Sequence, residues 1–468
     1  MKAYDYILDV PNDDSRQLAK GWLFLALASL ILGGLLTILI VLSRTPGVQT
    51  LIPWTDFFHT AIIVHVDLTV LVWFLSIAGI FWSLNSTSRC LKWGKISLLI
   101  AAVGTGIFTI SPFIGAGEPL MNNYIPILQH PFFLIGLGIF GLGFLLMVLR
   151  SLFTLRKIEN KYSPEGVLKL GMRTALLASL FSIIALALTY IMMPGDLEGR
   201  SFYELLFWGG GHILQFTHTQ LLLVAWLCLA TTCGIKLYLN PKIFTFFILL
   251  GFSPILFSPL IYVLYDVTSA DHVMRFTQLM QFGNGIAALP VGIVLGYGLL
   301  ASKFKAQNTA TPERMALYFS ILLFAAGGII GFLISGINVT IPAHYHGSIV
   351  AVTLAFMGVV YHLLPRLGFE KPMGRMANIQ PVIYGGGQLM HILGLAWSGG
   401  YGVQRKTAGV AQGLDSIQEI AGMAMMGLGG LISVVGGLLF LIVALRCIWR
   451  SRSGSQRVKI KHRVEEIA

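Results

Sequence analysis

About twelve stretches of roughly twenty apolar residues, separated by short polar connections, leave this chain few folds to adopt. A run of that length spans the ~30 Å hydrocarbon core as a helix. Lipid offers no hydrogen-bond partners, so each such segment must satisfy its backbone internally. The runs fall near Trp22–Leu42, His59–Ser83, Ile96–Ile110, His130–Leu149, Leu170–Met193 and Phe202–Ala225. They continue near Ile243–Tyr265, Phe276–Leu300, Met315–Ile337, Pro342–Leu364, Pro381–Gly400 and Ile420–Ile448. Only 11% of the residues are charged, against roughly 25% in a soluble domain. The expected class is therefore all-α: a polytopic membrane protein of about twelve transmembrane helices. No linker divides it, so residues 1–468 are expected to form one membrane-embedded domain ending in a basic tail at about 450–468.

Basic residues favour cytoplasmic loops, and here they alternate from loop to loop. With the N-terminus inside, inner connections hold Arg89, Lys92 and Lys95, then Arg150, Arg156, Lys157, Lys161 and Lys169, and later Lys303, Lys305, Arg366 and Lys371. Outer connections hold Glu118, Asp196, Glu198, Asp266 and Asp271. Both termini are thus expected in the cytoplasm, with the chain multi-pass in the cell's inner membrane. The net charge of +12 is topological and implies no nucleic acid. Met1–Lys20 lacks an apolar stretch ahead of a cleavage site, so no removed signal peptide is expected. Cys90, Cys228, Cys233 and Cys447 form neither a CxxC nor a CxxCH motif. A covalent heme or thiolate copper centre is therefore expected on another subunit.

Chemistry enters with His344-Tyr345-His346 at the outer mouth of the tenth run. Residues i and i+2 of a helix point about 200° apart, so each imidazole faces a different neighbour. A histidine inside a membrane is costly and marks a site until shown otherwise. His65 in the second run and His212 in the sixth fall in the same outer half, as do Asp266 after the seventh and Arg405-Lys406 after the eleventh. The pattern suggests axial ligation of one heme iron by His65 and His346, which would leave it saturated and low-spin, carrying electrons only. His344 would hold a second, high-spin iron by one face. His212 would bind a nonheme iron or copper. Arg405 and Lys406 would neutralise heme propionates.

The segments Val64-His65-Val66, Leu206-Phe207-Trp208-Gly209-Gly210-Gly211-His212, Ala343-His344-Tyr345-His346-Gly347 and Gly402-Val403-Gln404-Arg405-Lys406 resemble the catalytic subunit of the heme-copper oxidase superfamily. That superfamily includes oxygen-reducing cytochrome oxidases and nitric oxide reductases. The resemblance covers essentially the whole chain and implies the ligand roles just given, together with an electron-donating partner subunit that carries c-type heme or copper. Two departures stand out. The family's oxidases carry adjacent histidines at the end of helix seven, whereas this chain has no His-His pair. Counting back from Leu289-Pro290 puts Tyr265-Asp266 there, so Asp266 is expected as a metal ligand and Tyr265 in the other slot. The oxidases' tyrosine one turn after the helix-six histidine is Phe216 here.

Reducing O2 to water takes four electrons, and oxidases draw one from that tyrosine, whereas coupling two NO molecules to N2O takes two. Nitric oxide reduction is therefore the expected activity, with O2 reduction the alternative and a secondary transporter the rival of another class. Glu204, two turns outward from His212, is a candidate proton donor or metal ligand with a loop-facing alternative. Asp67 is a candidate buried acid. His272 reads as an outer-loop residue, His218 as too far around its helix to share a metal, and His391 as ambiguous.

Overall fold

The computed structural model describes residues 2–44, 57–115, 117–302, 311–405 and 414–465, with side chains outside that description at 39–44, 57–58 and 452–465. The chain resolves into two compact units. The first comprises Met1–Val224 and Tyr238–Val291. It opens with α1 (Ser15–Arg44) and α2 (Phe57–Val66), the latter continuing through a π-helical stretch, Asp67–Val72, into α3 (Trp73–Leu84). Next come α4 (Leu91–Ile110), a loop holding the paired strands β1 (Pro119–Leu120) and β2 (Ile127–Leu128), and α5 (Pro131–Thr154). After α6 (Pro164–Met192), most of α7 (Gly199–Thr232) lies in this unit. α8 (Pro241–Phe252) and α9 (Ser258–Leu264) flank a 3-10 stretch, followed by α10 (Ala270–Gly283) and the start of α11 (Ala288–Ala301).

The second unit takes Ala225–Leu237 and Gly292–Ala468. Its main helices are α12 (Thr311–Phe332), α13 (Thr340–Arg366), α14 (Arg375–Gly400) and α15 (Ile417–Glu465). α13 is its buried axis, enclosed without a break from Ala351 to Leu364. Among the described residues eleven helices are long and apolar enough to cross a membrane. The remaining long helix, α14, spans 26 residues but carries Arg375, Gln380, Gln388 and His391. An all-α polytopic membrane protein is what the apolar runs lead one to expect.

Several helices begin where a polar residue meets proline, because the cap side chain accepts a first-turn amide and proline lacks one that would need a partner. Ser163 before Pro164 accepts from Gly166 N at 3.1 Å, and Asn240 before Pro241 accepts from Lys242 N at 3.0 Å. Such a turn carries α6 beyond its apolar run, and other helices also start early. α1 starts at Ser15 rather than Trp22, α4 at Leu91 rather than Ile96, and α6 at Pro164 rather than Leu170.

Glycines set the tight seams. A Cβ on Gly104 of α4 would lie 2.3 Å from the Phe140 amide nitrogen of α5, and Ser97 Oγ donates across the same seam to Gly143 O at 2.9 Å. Side-chain donors are also met: Trp82 Nε1 donates to Met172 O at 3.0 Å, and Trp226 Nε1 to Ser320 Oγ at 2.8 Å.

At the start of the chain, Asp13 pairs with Arg156 and accepts from Ser15. Partial burial would raise the Asp13 carboxyl, but hydrogen bonds from Ser15 and Arg156 outweigh it and hold it below the usual carboxylate range. A carboxylate depressed in the folded state adds stability above its unfolded pKa and loses it as pH falls through the folded value. Acidification should therefore loosen residues 2–14, read as faster amide exchange there below about pH 4. An Asp13→Asn chain should show that reduced protection, relative to the intrinsic exchange rate, already at neutral pH.

Candidate functional site

In the first unit, His65 stands at the end of α2, where α1 passes close by. Gly33 permits that approach, since a Cβ there would lie 2.6 Å from Thr69 Cγ2. The Gly33 carbonyl consequently reaches His65 Nδ1 at 2.9 Å, with Thr37 Oγ1 at 3.0 Å. Thr37 Oγ1 itself donates to Gly33 O, so the imidazole proton resides on Nδ1 and Nε2 carries the lone pair. Nε2 makes no hydrogen bond among the described residues. The π-helical stretch begins two residues later with Asp67, which is 1% exposed and whose Oδ2 has no hydrogen-bond partner among the described residues. Inserted turns of this kind often occur at functional positions.

His212, buried in α7, is set the same way by its own helix: Nδ1 lies 2.7 Å from Trp208 O. Aromatic rings surround it. Tyr124, at the tip of the β1–β2 loop, packs at 4.8 Å between centroids, Trp208 at 4.8 Å and Phe276 at 6.4 Å. A Cβ on Gly211 would lie 2.4 Å from the Tyr124 ring, so the glycines before His212 admit these rings. Nothing in the sequence pattern marks Tyr124.

In the second unit the HxH pair divides as its spacing predicts. His344 Nδ1 meets Gly327 O of α12 at 2.7 Å, whereas His346 Nδ1 meets Pro342 O of its own helix at 2.8 Å. Gly327 and Gly347 touch backbone to backbone, and a Cβ on Gly331 would lie 2.6 Å from His344 Nδ1. His346 stacks on Tyr345 at 4.9 Å and meets His391 of α14 at 5.0 Å with a 56° tilt. His391 repeats the pattern, with Nδ1 2.9 Å from Met426 O. A backbone carbonyl on Nδ1 fixes the tautomer that presents Nε2 to a metal.

The element after α14 joins this group. Val339 N donates to Val403 O at 2.9 Å and Asn338 bridges Gln404, which sets the segment leading to Arg405 against the start of α13. Lys406 lies outside the described residues.

The helix-seven candidates do not gather around His212. α9 stops at Leu264, so Asp266 falls in the following loop, exposed, where its carboxylate accepts from Thr268 N at 2.8 Å and from Thr268 Oγ1. Those two bonds hold its carboxyl below the usual range. Tyr265 is half-buried under Arg275, 5.6 Å from its ring centroid. Glu204 accepts from Asn123 of the β1–β2 loop, the loop-facing alternative. Its other oxygen is buried without a hydrogen-bond partner among the described residues. His272 is not a loop residue: Ser269 caps α10 so soon after α9 that His272 is drawn inside, buried against Tyr262 and Phe276. Among the described residues no three His, Cys, Asp or Glu side chains stand close enough together to hold a metal ion.

The described residues thus fit heme, through imidazoles preset to offer Nε2, and bring no second His, Asp or Glu of a three-ligand metal group to His212. An Asp266→Asn chain should therefore keep its full metal content by elemental analysis. A missing metal would restore Asp266 as a ligand.

The family model for cytochrome C and quinol oxidase polypeptide I matches residues 17–455. An uncharacterized protein of Rickettsia prowazekii (strain Madrid E) is 31% identical, over 92% of this chain and 95% of that protein. Another, from Aquifex aeolicus (strain VF5), is 28% identical over 77% of this chain and 88% of its own length. Among solved structures, a heme-copper terminal oxidase dimer studied by cryo-EM matches with TM-score 0.66 at 18% identity, over 94% of this chain and 84% of that one.

Proposed function

The chain belongs to the cytochrome c and quinol oxidase polypeptide I family, and from that premise we propose that it reduces nitric oxide to nitrous oxide with electrons handed over by a partner subunit. Family membership makes it a heme-copper-type membrane oxidoreductase subunit and sets aside the transporter reading. The observation that carries the site assignment is shared by His65, His212, His344 and His346: each directs Nδ1 to a backbone carbonyl. A metal-binding histidine typically donates its other N–H in this way, which fixes the ring and raises its basicity.

The residue roles follow. His65 would hold low-spin heme iron, as would His346, and His344 would be the ligand of the high-spin, gas-binding iron. His212 offers one imidazole to a nonheme metal. Bound heme iron supplies one-electron chemistry and an open coordination position for a small gas. Arg405 offsets propionate charge at the outer end of α13. The distribution of lysine and arginine supports placement in the cytoplasmic membrane with both termini inside.

The choice of gas rests on the electron count. Two NO, two electrons and two protons give N2O and water, with no need of the radical-forming tyrosine that the family's oxidases carry one turn after this histidine. The position one turn on is Phe216, 1% exposed and packed in the apolar core with Ile213 and Tyr262. O2 reduction is the second reading, supported by family membership alone.

Purified protein supplied with iron should show a Soret band and consume NO anaerobically. A colourless preparation would refute the heme assignment. Aerobic O2 consumption without NO turnover would favour the second reading. Elemental analysis separates nonheme iron from copper.

A further inference from the structure

We propose that His391 is a positioning residue for His346: its ring, pinned to α15, fixes the plane of the neighbouring imidazole and so tunes the heme iron that His346 binds. The inference rests on the reading of His346 as a heme ligand.

The four ligands just proposed each direct Nδ1 to a backbone carbonyl. His391 does the same, with Met426 O. Four further histidines behave differently. His130 Nδ1 accepts from Phe132 N, His362 Nδ1 meets Thr232 Oγ1 and Arg366, and His218 and His272 leave Nδ1 without a hydrogen-bond partner among the described residues.

The fold takes trouble to place His391. The α14–α15 seam is closed by glycines at the histidine's own level: a Cβ on Gly429 would lie 2.5 Å from His391 N, and one on Gly430 3.4 Å from His391 Nδ1. That closeness brings the Met426 carbonyl within 2.9 Å of Nδ1. A polar ring in a membrane helix is costly unless used, and the side of this ring rests on His346.

The contact geometry rules out one role and suggests another. Two imidazoles on opposite faces of one iron, each about 2 Å from it, would have centroids roughly 6 Å apart. His346 and His391 stand 5.0 Å apart at 56°, so they are not a trans axial pair. Instead His391 and Tyr345, which is stacked at 28°, flank the His346 ring. The Nδ1 bond to Pro342 O holds one edge of that ring, and the flanking rings restrict its rotation. The orientation of an axial imidazole plane sets how the iron d orbitals split, and with it the EPR g values and the midpoint potential.

The test uses heme-loaded, full-length His391→Ala, His391→Phe and His391→Gln chains beside wild type and His346→Ala. All three His391 variants should keep the wild-type heme-to-protein ratio and the low-spin absorption bands. His391→Ala should shift the largest EPR g value and the low-spin midpoint potential. His391→Phe, which keeps a ring, should return both toward wild type, and His391→Gln, which keeps only a donor, should not. If the Ala variant fails to accumulate, Phe against Gln makes the same comparison.

Identical g values and potential in wild type and the His391 variants would overturn the proposal. Loss of the low-spin bands in all three variants would also overturn it, making His391 a ligand. Low-spin bands that survive His346→Ala would instead remove His346 as the ligand, and the positioning role with it.

Discussion

A His344→Ala chain should lose its ligand-binding heme signal completely, with no spectral change on adding carbon monoxide or NO, while the low-spin bands persist. His346→Ala should do the reverse. The two residues sit one apart on α13 yet face different surroundings: His344 is tied to Gly327 O of α12 and His346 to Pro342 O of its own helix. His344→Ala removes the sole protein ligand proposed for the gas-binding iron, so its effect is all or none rather than graded; His346→Ala removes one of the two imidazoles proposed for the low-spin iron. Folding damage is smaller in scale. Leaving Gly327 O without its donor costs about 1–3 kcal/mol, which a thermal melt in detergent would register. Exogenous imidazole should restore gas binding to a His344→Gly chain, because the Gly327 and Gly331 seam leaves room for a ring. Unchanged spectra in both variants would refute the ligand roles.

The second large effect is structural and concerns two adjacent glycines. Gly387→Ala should destabilise the protein by about 1–3 kcal/mol or more and Gly387→Leu should prevent its accumulation. Gly386→Ala should change stability by no more than about 0.5 kcal/mol. A Cβ on Gly387 would lie 2.7 Å from both Ser433 N and Ser433 Oγ and 2.8 Å from Gly429 O, mostly backbone that cannot swing aside. A Cβ on Gly386 meets nothing within 4 Å. Melting temperatures of the two alanine variants in the same detergent make the comparison. Equal values would mean that the α14–α15 seam is looser than its geometry indicates.

Fold class was legible because membrane burial writes itself as length: a run of twenty apolar residues has few alternatives. Helix ends were less so, since capped polar turns such as Ser163-Pro164 extend beyond the apolar run. The HxH pair could be read because its geometry is internal to one helix. What stayed hidden was contact between distant residues. Gly33 lies 32 residues from His65, and Met426 lies 35 from His391, and no local pattern links such pairs. Tyr124 beside His212 was invisible for the same reason. Asp266 was assigned by counting along an assumed helix, and α9 ends two residues before it. His272 was placed in a loop that proves too short to hold it.

The two anchors on α13 differ in kind, and that difference has a mechanical meaning. His346 takes its bearing from a carbonyl four residues earlier on the same rod, so it travels with α13 as one body. His344 takes its bearing from α12. Any sliding of α12 along α13 would thus re-aim His344 and leave the anchor of His346 undisturbed. Strain arriving from that side would be felt at one imidazole only.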